Sequence, residues 1–434
     1  MYRFVSTILT VALLGLMSIP GRVTAQRPSA TKFPYTAINL GTLGGPNTVF
    51  NAVSGRTVLL QADTRTLDRD YNKSSRNEVS TDRYISHAAF WRNGRLTDLG
   101  ALPGNNSSAL LDMNAHGEGV GVSENGAIDP LVGSPTVRAV VWRGGKIHML
   151  PTLGGRESVA GRINDRGQVF GLTTNRVHDR FTLDGWNPQG TQARAFLWTG
   201  GTGMTSLGTL GGPDSTVDLV NNRGQVVGDS FTNARVNAVT AIPTQHPFLW
   251  SKATGMRDLG TLGGTLATPK ALNDRGEVVG QSNVRYDTAF HAFLWNGSKM
   301  LDLGTFGGTY SAANAINQAG DVVGFAQVTA GGTCQAFLWR NGRKINLGVV
   351  PGNSTSGTSV NARDQVVGGS CDDATTTTRG WLWEHGTMHD LNKLVAPSSL
   401  RLNGASHIDD QGRIVATGVL PNGHQRVVLL VPAR

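Results

Sequence analysis

Cysteine is nearly absent: Cys334 and Cys371 are the only two in 434 residues. A disulfide framework is thereby excluded, and at most one intramolecular bridge can form. Charged residues are sparse at 16% and aromatic residues make up 7%. No stretch of 10–15 residues repeats apolar groups at helical spacing, which argues against helical folds. Catalytic signatures are missing too. There is no G-x-S-x-G, no P-loop, no H-E-x-x-H and no EF-hand loop. Past the first 25 residues no apolar run is long enough to span a bilayer.

What the chain has is glycine, 57 residues of it, and a repeat. Leu259-Gly-Thr-Leu-Gly-Gly264, Ala271-Leu-Asn-Asp-Arg-Gly-Glu-Val-Val-Gly280, His291-Ala-Phe-Leu-Trp295 and Leu301-Asp-Leu-Gly304 follow one another, and the order then begins again. Seven tryptophans mark the period: Trp91, Trp142, Trp198, Trp250, Trp295, Trp339 and Trp383, separated by 51, 56, 52, 45, 44 and 44 residues. A basic unit of 44 residues fits a four-stranded propeller blade.

Each unit reads as four strands. Strand A ends in apolar-Asn, as in Ile163-Asn164 and Leu272-Asn273, and a tight turn with glycine follows. Strand B is Val-Val-Gly (226–228, 278–280, 322–324, 366–368) and strand C is the Phe-Leu-Trp run. Asn93-Gly94, Gly144-Gly145, Asn296-Gly297 and Asn341-Gly342 then mark hairpins. Strand D is Asp-Leu-Gly (98–100, 258–260, 302–304). In strand C, Ala292 and Leu294 point one way and Phe293 and Trp295 the other. A strand apolar on both faces must be covered on both, as stacked blades cover it.

The expected fold is therefore all-β: one β-propeller of four-stranded blades. The units number eight, or seven if a terminal one is degenerate, the first (46–100) departing most around Asn51-Ala-Val-Ser-Gly-Arg56. Tyr35-Thr-Ala-Ile-Asn-Leu resembles a strand D with no strand C before it, while the last unit, ending in Arg426-Val-Val-Leu-Leu-Val, has no strand D. An N-terminal strand that completes the last blade closes the ring. Residues 1–25 read as a secretory signal, with Arg3, an apolar stretch from Val5 to Met17 and Val23-Thr24-Ala25 before the cut. Residues 26–434 then form the propeller, and its removal of Arg3 and Arg22 takes the formal charge from +9 to +7. No cysteine follows the run and no apolar tail ends the chain, so no membrane anchor is expected and the product is secreted or periplasmic.

His291-Ala-Phe-Leu-Trp, with Leu-Gly-Thr-Leu-Gly-Gly and Ile-Asn-x-x-Gly-x-Val-Val-Gly, resembles the HAF-repeat family of predicted extracellular bacterial proteins, over about residues 40 to 430. The resemblance implies export and a repeat fold, and it implies no reaction.

In a repeat protein, function gathers where one copy breaks the rule. Insertions fall between strands B and C, longest at 61–87, 172–193 and 230–245, so the edge bearing the B–C and D–A connections is the expected binding face. The start of strand C reads His87, Arg138, Arg194, His246, His291, Gln335, Arg379 and Arg426. Either each bonds a neighbouring loop, or together they form an anion-binding crown. Near the apolar-Asn of strand A stand Asp112, Arg162, Asp218, Lys270, Asn314 and His407, with Arg156, Glu157, Asp214 and Tyr310 in the D–A loops. They line either a wet channel or a ligand site. Cys334 and Cys371 fall on the same edge in adjacent units, and their pairing is left open. His385 and His389 have helical metal-binding spacing but straddle a hairpin, so no metal and no cofactor is expected.

The basic balance, pI near 9.9, calls for an anionic partner. Export and the lack of Lys/Arg clusters disfavour nucleic acid as a main role. An anionic polysaccharide or a cell-surface protein held on the rim by a non-catalytic module is the first expectation. A polysaccharide lyase or hydrolase using Arg162, Asp218, Lys270, Tyr310 and His407 is the second, and it requires those side chains to converge.

Overall fold

Val-Val-Gly and Phe-Leu-Trp, or close apolar variants of them, form the two central strands of the sheets, because alternating apolar and small residues pack well on a pleat covered from both sides. In the computed structural model, residues 33–69, 79–80, 82–104, 106–128, 135–183, 190–350, 354–372 and 377–433 are described, with the backbone alone for 371, 372 and 377. The signal expected over 1–25 lies outside the described residues. The chain divides into units 1–32 and 33–434, and everything below concerns the second.

Strand pairing gives six four-stranded sheets and one eight-stranded sheet. The eight-stranded one is two four-stranded antiparallel meanders joined by a single parallel pair, Gln245 with Leu266. The first sheet holds Thr48–Ser54, Thr57–Leu67, Tyr84–Arg92 and Arg95–Gly100 as strands A to D. The fourth holds Leu219–Val220, Val226–Val236, Pro243–Ser251 and Gly255–Asp258, and the fifth Gly263–Leu272, Val278–Val284, Phe290–Trp295 and Met300–Gly304. In the last, Arg401–Ile408, Ile414–Val419 and Gln425–Pro432 are completed by the N-terminal strand Tyr35–Asn39, which pairs antiparallel from Tyr35–Pro432 to Asn39–Val428. The architecture is all-β, propeller-like and built on four-stranded antiparallel sheets.

The two-faced strand C explains the packing. Phe293 and Trp295 pack with Val227 and Leu249 of the fourth sheet, while Ala292 and Leu294 pack with Ala313 and Phe337 of the sixth. Core clusters thus lie between successive sheets. Val415, Val427 and Leu429 of the last sheet share one with Val58, Leu60 and Ala89 of the first. Phe293 is fully buried, and truncating such a ring costs about 3–5 kcal/mol.

Glycine is required where backbones touch. A Cβ on Gly280 of strand B would lie 2.0 Å from Thr268 O, and one on Gly308, the second of a Gly-Gly pair, 2.4 Å from Gln327 Cβ. The Asn-Gly turns place both residues at positive φ at 93–94 and 341–342. Asn296-Gly297 differs: Asn296 N donates to Lys299 O at 3.2 Å, so this hairpin needs four residues rather than two.

Two expectations are corrected. The B–C insertions are not loops throughout, because strands B and C run on into them. The fourth-sheet hairpin stays paired as far as Val236 and Pro243, since Thr, Val and Phe along it favour the extended state. Strand A, in turn, carries a register shift in seven of the eight four-stranded meanders, skipping Asn51, Leu111, Gly161, Lys270, Asn314, Thr358 and Ser406. Asp112, Arg162 and His407 therefore stand one place beyond the bulge and Lys270 and Asn314 on it, so the expected set mixes two positions that a bulge aims differently.

Candidate ligand-binding site

The asparagine that ends strand A forms its turn and also ties sheet to sheet. Asn221 Oδ1 accepts from Arg223 N and Gln225 N at 3.1 Å, and its Nδ2 donates to Asn273 O at 3.1 Å. Asn273 repeats this toward Asn317 O at 3.2 Å, and Asn317 toward Asn361 O at 3.2 Å. These residues are scaffold on the A–B edge.

On the opposite edge the expected crown is internally bonded. His87 Nδ1 lies 3.0 Å from Asp98 Oδ1, His246 Nδ1 2.9 Å from Asp258 Oδ2, and His291 Nδ1 2.8 Å from Asp302 Oδ2. Arg379 Nη1 reaches Asp390 Oδ2 at 3.4 Å, and Asn346 Nδ2 donates to Gln335 Oε1. The antiparallel C–D hairpin sets the Asp of Asp-Leu-Gly beside the residue that begins strand C. The same carboxylates cap the exit from strand D, Asp302 Oδ1 accepting from Gly304 N at 2.6 Å. Burial raises the carboxyls of Asp98 and Asp258, but bonds from His87 and His246 and from Gly100 and Gly260 N–H hold them below the ordinary range. Arg138 donates to Leu150 O at 2.9 Å, Arg194 to Pro213 O, and Arg426 to Pro46 O. The sequence motif from His to Asp is a latch within the first, fourth and fifth sheets, and elsewhere the residue that begins strand C bonds a neighbouring side chain or loop carbonyl.

Buried acids fasten the loops above. Asp214, with no solvent exposure, accepts from Leu183 N at 2.8 Å and Ala193 N at 2.9 Å, holding both ends of the third sheet's B–C connection. Burial, with Asp179 nearby, pushes it up to about 7 against those two bonds. Glu157 accepts from Val137 N at 2.7 Å in the preceding sheet. Arg156 is exposed.

The strand A residues do not converge as a group. Tyr310 donates to Gln281 Oε1 at 3.2 Å and packs edge-on against Phe290 and Phe325, with centroids at 6.0 and 5.3 Å. Asn314 donates to Gly357 O of the next inner strand at 2.9 Å. His407, held below its ordinary range by burial, borders a separate small cavity with Asp409 and Arg413. Asp112 accepts from Ile163 N at 3.0 Å and lines a cavity of about 550 Å³ on the A–B side.

Arg162, Asp218 and Lys270 do belong together. Burial pushes the Asp218 carboxyl up to about 6, opposed by the charges of Arg162 and Lys270. Arg162 Nη1 donates to Gly161 O at 2.9 Å, and Lys270 is exposed. Asp218 lines a cavity of about 610 Å³ on the B–C side, walled by Phe181 and Leu183 from the third sheet, Ile242 and Gln245 from the fourth and Thr268 from the fifth. Asp229 lines it as well, and sequence reasoning missed it. The available signal was the place after Val-Val-Gly, where Asp229 is acidic and other copies hold Gln281, Phe325 and Gly369.

Cys334 N donates to Ser354 Oγ at 3.2 Å, and Ser354 pairs with Cys371 in the ladder. The Cys371 side chain, and with it the pairing left open above, lies outside the described residues. His385 occupies a hairpin turn at φ +50° and His389 the following strand, and among the described residues no group of three or more His, Cys, Asp or Glu side chains is placed to hold a metal. Among the described residues, no helix is long and apolar enough to cross a membrane.

Loose superpositions on solved structures occur. A polysaccharide lyase, an ulvan lyase bound to -[GlcA(1-4)Rha3S]-, superposes over 91% of this chain and 94% of its own at 10% identity and a TM-score of 0.38. The Trypanosoma rangeli sialidase covers 91% of this chain and 55% of its own at 8% identity and 0.29. Kuenenia stuttgartiensis hydrazine synthase covers 67% of this chain at 10% identity and 0.35, and this chain spans only 43% of that protein's length. Superpositions this loose carry no argument. No family model and no curated protein matches the chain.

Proposed function

We propose that the eight meanders are blades of one closed propeller, sealed by the N-terminal strand, and that the chain is an exported non-catalytic module of HAF-repeat type. It holds an anionic glycan or an acidic surface protein on the edge built from B–C and D–A connections. The apolar cluster shared by the first and last sheets supports closure, as does the bond from Gln425 N to Asn47 Oδ1 at 2.9 Å. The observation that carries the binding reading is the set of exposed arginines, Arg65, Arg176 and Arg235, on the long B–C hairpins of a chain whose net charge is +9, or +7 without residues 1–25. Guanidinium groups on projecting hairpins reach a polyanion without desolvating the scaffold. The module reading is favoured over a lyase because Tyr310 bonds Gln281 and His407 borders a different cavity from Asp218.

Size-exclusion chromatography of the chain mixed with acidic and neutral polysaccharides tests this. Intact acidic glycan should co-elute with protein at low salt and separate at high salt. Shortened glycan would replace the module reading with an enzyme. Passage of every glycan unbound and uncut would leave an acidic surface protein as the partner to seek.

A further inference from the structure

The carboxyl groups buried beneath the B–C connections provide an internal comparison. Asp63 is satisfied by Asn47 N at 2.8 Å and Ser86 Oγ at 2.7 Å, Glu124 by Ser107 N at 2.7 Å and Val79 N at 3.3 Å, and Asp214 by Leu183 N and Ala193 N. Asp229, 7% exposed, is built differently: its Oδ1 touches neither solvent nor a hydrogen-bond partner. It borders the cavity of about 610 Å³. Asp218, in the same cavity, has an Oδ2 in the same condition although the residue as a whole is half-buried. A buried oxygen left without a partner costs about 1–3 kcal/mol, and two in one cavity of ligand-binding size call for a common donor.

The fourth sheet breaks the repeat at this spot. Its strand A shrinks to Leu219–Val220. Three residues before the turn asparagine (Asp409 in the last sheet), Asn314 and Thr358 donate to the next inner strand, at 2.9 and 2.7 Å. The fourth sheet has Asp218 there, and an ionised carboxylate has no proton to give.

We propose that this cavity binds a neutral, hydroxyl-rich ligand, a glycan residue, whose hydroxyl groups donate to Asp218 Oδ2 and Asp229 Oδ1 while its apolar face lies against Phe181, Leu183 and Ile242. The inference rests on reading the chain as a binding module and assigns the module its pocket. A metal cation is disfavoured because Arg162 and Lys270 already act as counter-charges to Asp218. Burial and the Asp218 charge push Asp229 well above the usual carboxylate range, against a bond from Gln245 and the charge of Lys270.

Isothermal titration calorimetry of the full chain with cellobiose, xylobiose, a uronate disaccharide and calcium chloride tests the assignment. A neutral disaccharide should bind, and Asp229→Asn and Asp218→Asn should each weaken it about tenfold or more, the value of one hydrogen bond to a charged or buried partner. Asp274→Asn, on the A–B edge, should leave binding unchanged. Phe181→Ala, on a half-exposed connection, should also weaken it and serves if an aspartate variant melts early. Neutral-sugar binding that survives all three pocket substitutions would overturn the assignment and leave the module reading standing. Binding of the uronate alone would do the same. Calcium binding abolished by Asp229→Asn would overturn it in favour of a cation site. Failure of every sugar here, with acidic polysaccharide still co-eluting in chromatography, would remove the pocket and keep the rim.

Discussion

At the scale of the residue, close backbone approach and buried charge decide most outcomes. A Cβ on Gly280 meets Thr268 O at 2.0 Å and a Phe293 ring atom at 3.0 Å, and neither can retreat within a ladder. Gly280→Ala should lower stability by about 2–3 kcal/mol, as overpacking does, read from denaturant midpoints. Asp364 presents the opposite case. It occupies the turn position where other copies have glycine, at φ +66°. Asp364→Gly should raise the melting temperature, the left-handed strain of about 1 kcal/mol exceeding the exposed ion pair with Arg340 that is lost. For pH, burial raises Asp63 to about 6, with Ser86 and Asn47 opposing and Asp82 adding to the rise. The folded form then binds its proton more tightly than the unfolded form. Stability should rise as pH falls from about 6 to about 4 and gain nothing further below that. Asp63→Asn should flatten that slope in thermal melts taken across the range.

At the scale of the element, two devices recur from sheet to sheet, and burial ranks them. The strand A asparagine is buried, Asn221 at 6%, and serves two backbone N–H groups and the next sheet's carbonyl. Asn221→Ala strands several groups and should cost about 2–3 kcal/mol. The His–Asp latch lies at the surface, with the Asp302 side chain 44% exposed. His291→Ala should cost only about 0.5–1 kcal/mol. Equal losses in a urea titration would mean that the latch does more than its exposure allows. The asparagine was legible as a turn former because the side-chain-to-backbone bond is local. Its bond to the neighbouring sheet was not, because nothing within one unit specifies which carbonyl comes alongside.

At the scale of the molecule, the N-terminal strand is the decisive segment. Tyr35 and Leu40 are buried, and Tyr35–Asn39 covers the edge of Gln425–Pro432. Deleting 33–40 should expose that edge, lower the melting temperature and promote association through open strand hydrogen bonds. A deletion variant that melts like the parent and stays monomeric in light scattering would show that this pairing does not hold the last sheet.

The repeat, the four strands of each unit, the two-residue turns at 93–94 and 341–342 and the pairing of the N-terminal strand with the last unit were set by sequence alone. Their causes are local: period-two alternation, Asn-Gly at positive φ, and one missing strand at each end that the other supplies. The bulge in strand A, the partnering of His291 with Asp302, and the separation of Tyr310 and His407 from Asp218 were decided only by the tertiary structure. Register across strands and the approach of one sheet to the next determine which side chains meet. Asp229 shows the difference most plainly. In the sequence it is one acid after Val-Val-Gly, and only the packing of third, fourth and fifth sheets encloses it beside Asp218 with an oxygen left to satisfy.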